Sequence, residues 1–534
     1  MCIRDSQLGD HYFKVMGGFN AEHQNVRTLS AQRDGIIVPD LPTIDTSTEQ
    51  DVAGGGYNHW ATAGFFGRLN YNYKEKYLLE VNGRYDGTSR FMKDQRWNFF
   101  PSFSLGWNVA RENFWKPLES VVNQFKLRGS WGELGNQNTS NLYPFYEILP
   151  VKSNSGNWLV NGGKTNTADI PSLVSTLLTW ERVRSFNVGF DFGAFSNRLT
   201  GSFDYFVRKT VDMVGPAPQL PLVLGIAPAI VNNADMKSYG FEIELSWRDR
   251  IGEVDYGVKF NLADAQQKVV KYPNTTNAFS DWYAGKMSGE IWGYTSLGIA
   301  KTDEEMKEHL ASLPNGGQNQ LGNKWGAGDI MYADINGDGK VDGGKGTLAD
   351  PGDQRIIGNS TPRYNFGLVL DASYKGFDVS IFFQGVGKRD YAPIVGTNGA
   401  VFWGAVNNIW QSMAMEEHFD YFRPEGHPMG ANLNGYYPRP DFTSNKNHQV
   451  QTRYLQDASY IRLKNLQIGY TLPKQWINKL HINRCRVYVS GDNLWTGTSL
   501  ASMFDPETLA AGDWGSGKTY PLSKVISFGL NVNF

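Results

Sequence analysis

The stretch SFNVGFDFGAF, residues 185–195, alternates apolar and polar side chains with a period of two residues. In an extended chain Phe186 and Val188 fall on one face, whereas Asn187 and Asp191 fall on the other. The spacing therefore predicts a β-strand with one apolar and one polar side. Strands of this kind occur in soluble sandwiches and in membrane barrels, so the other strands of the chain decide between these two folds.

Further strands favour the membrane barrel. The same division recurs in FKLRGSW, FEIELSWR and ISFGLNVNF, at 125–131, 241–248 and 526–534. The polar faces of the first two carry full charges, and aromatic residues cluster towards strand ends, as in barrels with a polar lumen and interfacial aromatic girdles. The stretch RLNYNYKEKYLLEVNGRYDG, at 68–87, is predicted to be one long strand of this type.

The connections between the predicted strands alternate in length. Short links at 196–198 and 248–253 alternate with long polar segments at 132–178 and 385–457, which is typical of a barrel with short turns on one rim and long loops on the other. Roughly 13 or 14 strands follow residue 11. We therefore predict an all-β fold, a transmembrane antiparallel β-barrel with long extracellular loops.

Composition agrees with strands joined by turns. The 534 residues include Gly 59, Tyr 26, Phe 31 and Trp 16, and helical character is confined to TDEEMKEHLASL at 302–313. The formal net charge of −2, with acidic and basic residues mixed, argues against a nucleic-acid partner. The sequence lacks a run of about 18 apolar residues, which excludes an α-helical membrane span but is compatible with a barrel.

The N-terminal residues differ from the rest. MCIRDSQ lacks the basic and apolar regions of a signal peptide and joins abruptly to the strand-like HYFKVMGGFNAEH. We expect residues 1–10 to be a non-native leader, with the barrel region at 11–534, no plug domain, and the true N-terminus missing. Cys2 and Cys485 are too few for a disulfide framework, and neither has a metal-like spacing.

Several motifs resemble the SusC/RagA family of TonB-linked outer-membrane transporters. The matching stretches occur in family order: RYDGTSRF at 84–91, FFPSFSLGWNVA at 99–110, SYIRLKNLQIGYTLP at 459–473, CRVYVSGDNLWT at 485–496, and the closing FDPET to NVNF at 504–534. The resemblance implies a nutrient importer of the outer membrane. It also implies that the predicted strands are the C-terminal part of a larger plugged barrel.

The same resemblance implies the partners and the substrate. A SusD-like lipoprotein would cap the barrel, and the TonB complex would supply energy through the missing N-terminal region. Oligosaccharides are the first expectation for the substrate, although peptide importers share these motifs. Outer-membrane lipid and the assembly machinery would be the remaining partners. Transport of this kind involves no covalent chemistry, so we expect the protein not to be an enzyme.

The C-terminal strand carries a predicted assembly signal. The stretch ISFGLNVNF is a last strand, and its aromatic carboxyl-terminal residue after alternating apolar positions resembles the signal used by the outer-membrane assembly machinery. The residues expected to matter are Phe528 and Phe534.

A possible cation site lies between two strands. DINGDGKVD at 334–342 has the ligand spacing of the front half of an EF-hand calcium loop, although no helices are predicted beside it. The predicted oxygen ligands are Asp334, Asn336, Asp338, the carbonyl of Lys340, and Asp342. The alternative is a metal-free turn, because Asn and Asp next to Gly favour turns in any case.

The sequence leaves two candidates for the last ligand of this predicted calcium loop. Position twelve is Lys345, where an EF-hand has a bidentate Glu. The family resemblance implies an insertion after which Asp353 supplies the final carboxylate, with Asp350 as the alternative. We predict a structural calcium rather than a sensor, because a sensor needs flanking helices that reorient.

Aromatic residues in long connections are candidate substrate contacts, because exposed rings can stack on sugars or peptide side chains. They are Trp282, Tyr283, Trp292, Trp403 and Trp410. The alternatives are loop packing and a membrane-interface girdle.

Enzymatic motifs have little support. GDWGSGKT at 512–519 matches the phosphate-loop pattern but is followed by Tyr520 and Pro521 rather than a helix, so the match is accidental. The alternative to the importer is a soluble all-β carbohydrate-active enzyme with a structural calcium loop. Blade-like repeats would favour this alternative, and the sequence lacks such repeats.

Overall fold

One antiparallel sheet dominates the computed structural model, which describes residues 1–139, 141–217, 220–226, 228–393, 401–404, 415–441, 445–478, 482–509 and 519–534. Within these residues the sheet has 15 strands, each paired with the next along the chain. They are β1 (Cys2–Leu8), β2 (His11–Ile36), β3 (Ser47–Tyr73), β4 (Tyr77–Thr88), β5 (Trp97–Asn108), β6 (Val122–Asn136), β7 (Glu181–Ala194), β8 (Leu199–Val214), β9 (Asn232–Ile251), β10 (Val254–Lys271), β11 (Arg363–Tyr374), β12 (Phe377–Lys388), β13 (Tyr460–Thr471), β14 (Arg484–Thr498) and β15 (Val525–Asn533).

The predicted faces are confirmed by the strand register. The opening stretch lies in β7, where Phe186 is opposite Trp131 of β6 and Val207 of β8. Opposed residues of an antiparallel pair share a face, so these apolar side chains form one continuous surface. The polar face holds an ion pair between Arg128 of β6 and Asp191 of β7 at 3.1 Å. The all-β antiparallel fold is therefore confirmed, and β1 and β15 form the edges of the described sheet.

The stretch at 68–87 is a hairpin, so the prediction of one long strand is wrong. The strand β3 ends at Tyr73 and β4 begins at Tyr77. Lys74 and Glu75 take the left-handed conformation, with φ of 52° and 53°, which is the geometry of tight hairpin turns. The alternating pattern continues across this turn and lacks a glycine to mark it, so periodicity alone does not reveal the reversal.

The two rims of the sheet differ as predicted. Within the described strands, five tight turns lie on one rim, at 9–10, 74–76, 195–198, 252–253 and 375–376. Long connections lie on the other, at 137–180, 215–231, 272–362, 389–459 and 499–524. In a membrane barrel the long-loop rim is extracellular.

Aromatic side chains line the short-turn rim. Tyr77 stacks between Tyr73 and Trp107, with ring centroids 6.3 and 6.5 Å apart. The carboxylate of Glu112 accepts hydrogen bonds from Tyr77 at 2.7 Å and Lys76 at 2.9 Å. These hydrogen bonds lower the pKa of the Glu112 carboxyl to about 2. Glu112 is therefore ionised near neutral pH and holds the aromatic side chains of this rim in place.

Residues 303–311 form an α-helix in the connection between β10 and β11, as the sequence predicts. The helix spans Asp303–Ala311, and the hydroxyl of Thr302 caps it by accepting a hydrogen bond from the backbone N–H of Glu305 at 3.1 Å. No helix in the described part of the chain has the length and apolar character to cross a membrane.

Candidate functional site

The main hydrophobic core lies in the long connections rather than in the sheet. We call the described residues of 272–362, 389–459 and 499–509 the loop head. Its buried aromatic and aliphatic residues form one cluster, which includes Tyr294, Ile330, Tyr332, Phe402, Trp403, Tyr437, Tyr454 and Phe504. Three connections that are far apart in sequence thus share one core, which makes this part of the long-loop rim a packed body.

A buried carboxylate fastens two of these connections together. Asp329 is fully buried and accepts hydrogen bonds from Arg439 at 2.7 and 2.8 Å, Lys446 at 2.9 Å and Asn447 at 2.9 Å. Lys446 is buried as well. Since a buried charge is stable only when it is paired, these contacts fix the segment around 329 against the segment around 446.

A second network fastens the last connection to the sheet. The guanidinium of Arg462 in β13 donates to Asp505 and Glu507, both at 2.7 Å. Lys464 donates to Glu507 at 2.6 Å. The segment 499–509 is thereby tied to the wall of the sheet. Neither network is visible in the sequence, because the partners are more than 40 residues apart and no spacing motif joins them.

The predicted calcium loop folds back on itself through hydrogen bonds. The carboxylate of Asp334 accepts from the backbone N–H groups of Gly337 at 2.7 Å and Gly339 at 2.8 Å. Asn336 accepts from the N–H of Asp338 at 3.0 Å. These are turn interactions that Asp and Asn make both in metal-free turns and in calcium loops, so both readings of the sequence are compatible with this geometry.

Asp353 closes this loop. Its carboxylate is fully buried and accepts from the N–H groups of Ile335 at 2.7 Å, Asn336 at 3.3 Å and Asp342 at 2.8 Å. The alternative residue, Asp350, accepts through its backbone carbonyl from Lys345 at 3.1 Å. The structure therefore brings Asp353 to the predicted ligands.

Lys340 supplies positive charge in this loop. Its ammonium pairs with Asp342 and lies 3.8 Å from Asp338, and the hydrogen bond from Lys340 lowers the pKa of Asp342. The donor atoms are hard oxygens, which suit calcium. However, no group of three or more acidic, His or Cys side chains converges as a metal site in the described residues. The calcium site stays a prediction.

The aromatic candidates fall in different environments. Trp282 is half-buried and contacts Tyr272 edge-on, with centroids 6.0 Å apart. Tyr283 donates to Glu290 at 2.5 Å, and burial with this hydrogen bond raises the pKa of its hydroxyl. Trp292 stacks on Phe279 at 4.6 Å. Trp282 is the one of these three whose contact is edge-on rather than a stacked ring or a hydrogen bond.

The expectation that Trp403 is exposed is wrong. It is 1% exposed and packs against Tyr454 at 4.8 Å and Tyr437 at 6.1 Å in the loop-head core. An indole in the middle of a packed aromatic cluster cannot stack on a ligand, so the loop-packing alternative holds for this residue. Trp410 lies outside the described residues.

Of the predicted assembly residues, Phe528 lies on β15, an edge strand of the described sheet, and Phe534 directly follows that strand. Phe528 and Phe534 are 82% and 84% exposed, and Phe528 is opposite Val489 of β14. Their exposure leaves both rings accessible to another protein or to lipid.

We predict that the double variant Phe528→Ser and Phe534→Ser inserts poorly into the outer membrane, because the apolar face of β15 loses both rings. The expected result is about a tenfold lower yield in the outer-membrane fraction. The two Phe rings face lipid, and removing them lowers the free energy gained on membrane insertion by several kcal/mol. The matched control is Ser527→Thr with Asn531→Gln on the other face of β15. Equal yields for the two double variants would contradict the prediction.

Comparisons with known proteins agree with this architecture. Residues 5–494 match the family described as TonB dependent receptor-like, beta-barrel. The chain is 28% identical to TonB-dependent receptor P3 of Formosa agariphila, over 99% of this chain and 51% of that protein. It is 24% identical to TonB-dependent receptor SusC of Bacteroides thetaiotaomicron, over 88% of this chain and 43% of that protein.

A solved structure has the same fold. A chain of the RagAB peptide transporter superposes with a TM-score of 0.76 at 20% identity, covering 100% of this chain and 54% of that one. The chain thus spans about half the length of the curated relatives it matches.

Proposed function

The chain belongs to the TonB-dependent receptor β-barrel family of the outer membrane and is of the SusC/RagA type, and from this we propose that it forms part of a nutrient importer. The observation that carries the proposal is the loop head, a packed body on the long-loop rim of a sheet whose lumen face is polar. Such an arrangement can capture a solute at the cell surface and admit it to a polar lumen without covalent chemistry, so the proposed function is transport and not catalysis.

Oligosaccharides are the proposed substrate. Partly exposed aromatic side chains in the loop head, above all Trp282, suit the apolar faces of sugar rings. Tyr283 and Trp292 lie in the same connection and are further candidates for substrate contact. Peptides are the second candidate, since the RagAB peptide transporter contains a chain of the same fold.

We predict that Trp282→Ala weakens oligosaccharide binding to the full-length protein by roughly two- to tenfold, the loss expected for one stacking contact of about 0.5–1.5 kcal/mol. Isothermal titration with a panel of oligosaccharides of different linkage measures the effect. The control is Trp476→Ala, which removes an exposed Trp on the other rim. Equal losses for both variants, or binding of peptides alone, would contradict the substrate assignment.

The partners follow from the same proposal. A SusD-like lipoprotein would rest on the loop head, and the TonB complex would supply the energy for transport. Co-purification of a surface lipoprotein with the full-length protein tests the first partnership. Extraction only by detergent, with heat-modifiable gel migration, separates the importer from the alternative of a soluble carbohydrate-active enzyme.

A further inference from the structure

A line of basic side chains crosses four neighbouring strands, perpendicular to the strand direction. Arg184 of β7 is opposite Lys209 of β8, Lys209 is opposite Lys237 of β9, and Lys237 is opposite Lys268 of β10. Opposed residues of antiparallel strands point to the same face, with Cβ atoms about 4.5–5.5 Å apart. We call these four residues the basic row.

The basic row lies on the apolar face of the sheet. On β7, Arg184 is on the same face as Phe186 and Val188, which are both exposed. Asn187 and Asp191 occupy the other face. The same holds on β9, where Lys237 alternates in phase with Tyr239 and Leu245. The row therefore points towards lipid and not into the lumen.

The height of the row matches a membrane interface. On β9, Lys237 is ten residues from Trp247, which lies at the short-turn rim and donates to Tyr256 at 3.1 Å. Ten residues of a strand tilted by about 40° rise about 25 Å along the barrel axis, the height of the apolar band of a membrane barrel. Lys237 is thus at the headgroup level of the outer leaflet, and the tilt spreads the four residues over about 9 Å in height, about the depth of the headgroup layer.

The charges of the row are only partly neutralised. Arg184 pairs with Glu133 at 2.7 Å, and Lys209 lies 3.7 Å from Asp235. For Lys237 and Lys268 no ion pair within 4.0 Å is present in the described part of the chain. The ammonium of Lys237 lies 5.3 Å from the ring centroid of Tyr239. Like charges directly opposite each other destabilise a sheet, so an anion bound along the row would remove this cost.

We propose that the basic row binds the phosphates of a phosphorylated glycolipid in the outer leaflet. Lysine and arginine side chains are the usual partners of phosphate oxygens. Three steps between strands span about 14 Å, enough for two phosphates of one headgroup, while the acyl chains lie on the apolar face below. Lys237 and Lys268 have the most charge left to contribute.

The test uses the full-length protein in detergent and a glycolipid of two glucosamines bearing two phosphates, with its dephosphorylated form for comparison. Native mass spectrometry measures the bound fraction for the native protein, for Lys237→Gln with Lys268→Gln, and for a control with Lys74→Gln and Lys375→Gln. The control removes two lysines from the short-turn rim, where they pair with Asp10 and Glu253 at 2.8 Å.

The native protein and the control should bind the phosphorylated lipid at least tenfold more tightly than the dephosphorylated form, and the Lys237, Lys268 variant should lose most of that preference. Circular dichroism shows that the variants are folded. Equal affinity of all three proteins would overturn the proposal. Competition by inorganic phosphate at the same concentration as the glycolipid would also overturn it, because it would assign the row to free phosphate.

Discussion

Replacing Asp329 by Ala is expected to open the loop head. The substitution leaves Lys446 and Arg439 without the carboxylate that lies between them, and breaking a buried ion pair costs about 3–5 kcal/mol. Hydrogen exchange of the amides around 329 and 446, followed by mass spectrometry, should accelerate by roughly 100-fold or more. The strands of the sheet should keep their protection, because the Asp329 contacts are confined to the connections.

The control for this prediction is Glu253→Ala. Glu253 pairs with Lys375 at 2.8 Å, but both side chains are exposed on the short-turn rim, where an ion pair contributes about 0–1 kcal/mol. Exchange rates in the loop head should not change in this variant. If Asp329→Ala has as little effect as Glu253→Ala, then Asp329 does not hold the two segments together.

Replacing Asp353 by Ala is expected to release the 334–342 loop. Three backbone N–H groups would lose their common acceptor in a buried position, and each unsatisfied group costs about 1–3 kcal/mol. We expect a local loss of about 3–5 kcal/mol, seen as rapid exchange of the amides of Ile335 and Asp342 and as new proteolytic cleavage within the loop.

The substitution Asp353→Asn removes the negative charge of the side chain but keeps its size. The amide keeps one acceptor oxygen and the size of the side chain, so its effect should be about half that of Asp353→Ala. Calcium is tested on the native protein in the same experiment. If the predicted calcium binds, EDTA accelerates exchange in this loop and added calcium restores protection. If neither additive changes the exchange rates, the loop is the metal-free turn, and protection that survives Asp353→Ala would contradict the role of Asp353.

Much of the sheet follows from the sequence. The alternation in 185–195 predicts the faces of β7 because a strand has a fixed period of two, and the register with β6 and β8 confirms those faces. The turn at 74–76 could not be predicted from the sequence, because Lys74 and Glu75 adopt left-handed geometry without the Asn or Gly that usually marks such a turn.

The loop head and the basic row depend on contacts that the sequence does not display. Asp329 meets Arg439 and Lys446 across more than 100 residues, so no local pattern links them. Trp403 is a reasonable candidate for an exposed ring by its position in a long connection, yet it packs inside a core assembled from distant segments. The row from Arg184 to Lys268 becomes visible only when the register of four strands is known.

Energy-dependent uptake tests the proposed importer most directly. Cells that lack the gene for the full-length protein, and cells complemented with it, are supplied with a panel of fluorescently labelled oligosaccharides, with and without a protonophore that removes the energy of the inner membrane. We predict that complemented cells accumulate at least one oligosaccharide, and that deletion or the protonophore abolishes this uptake. Equal accumulation of every oligosaccharide in the deleted and complemented cells would contradict the proposed function.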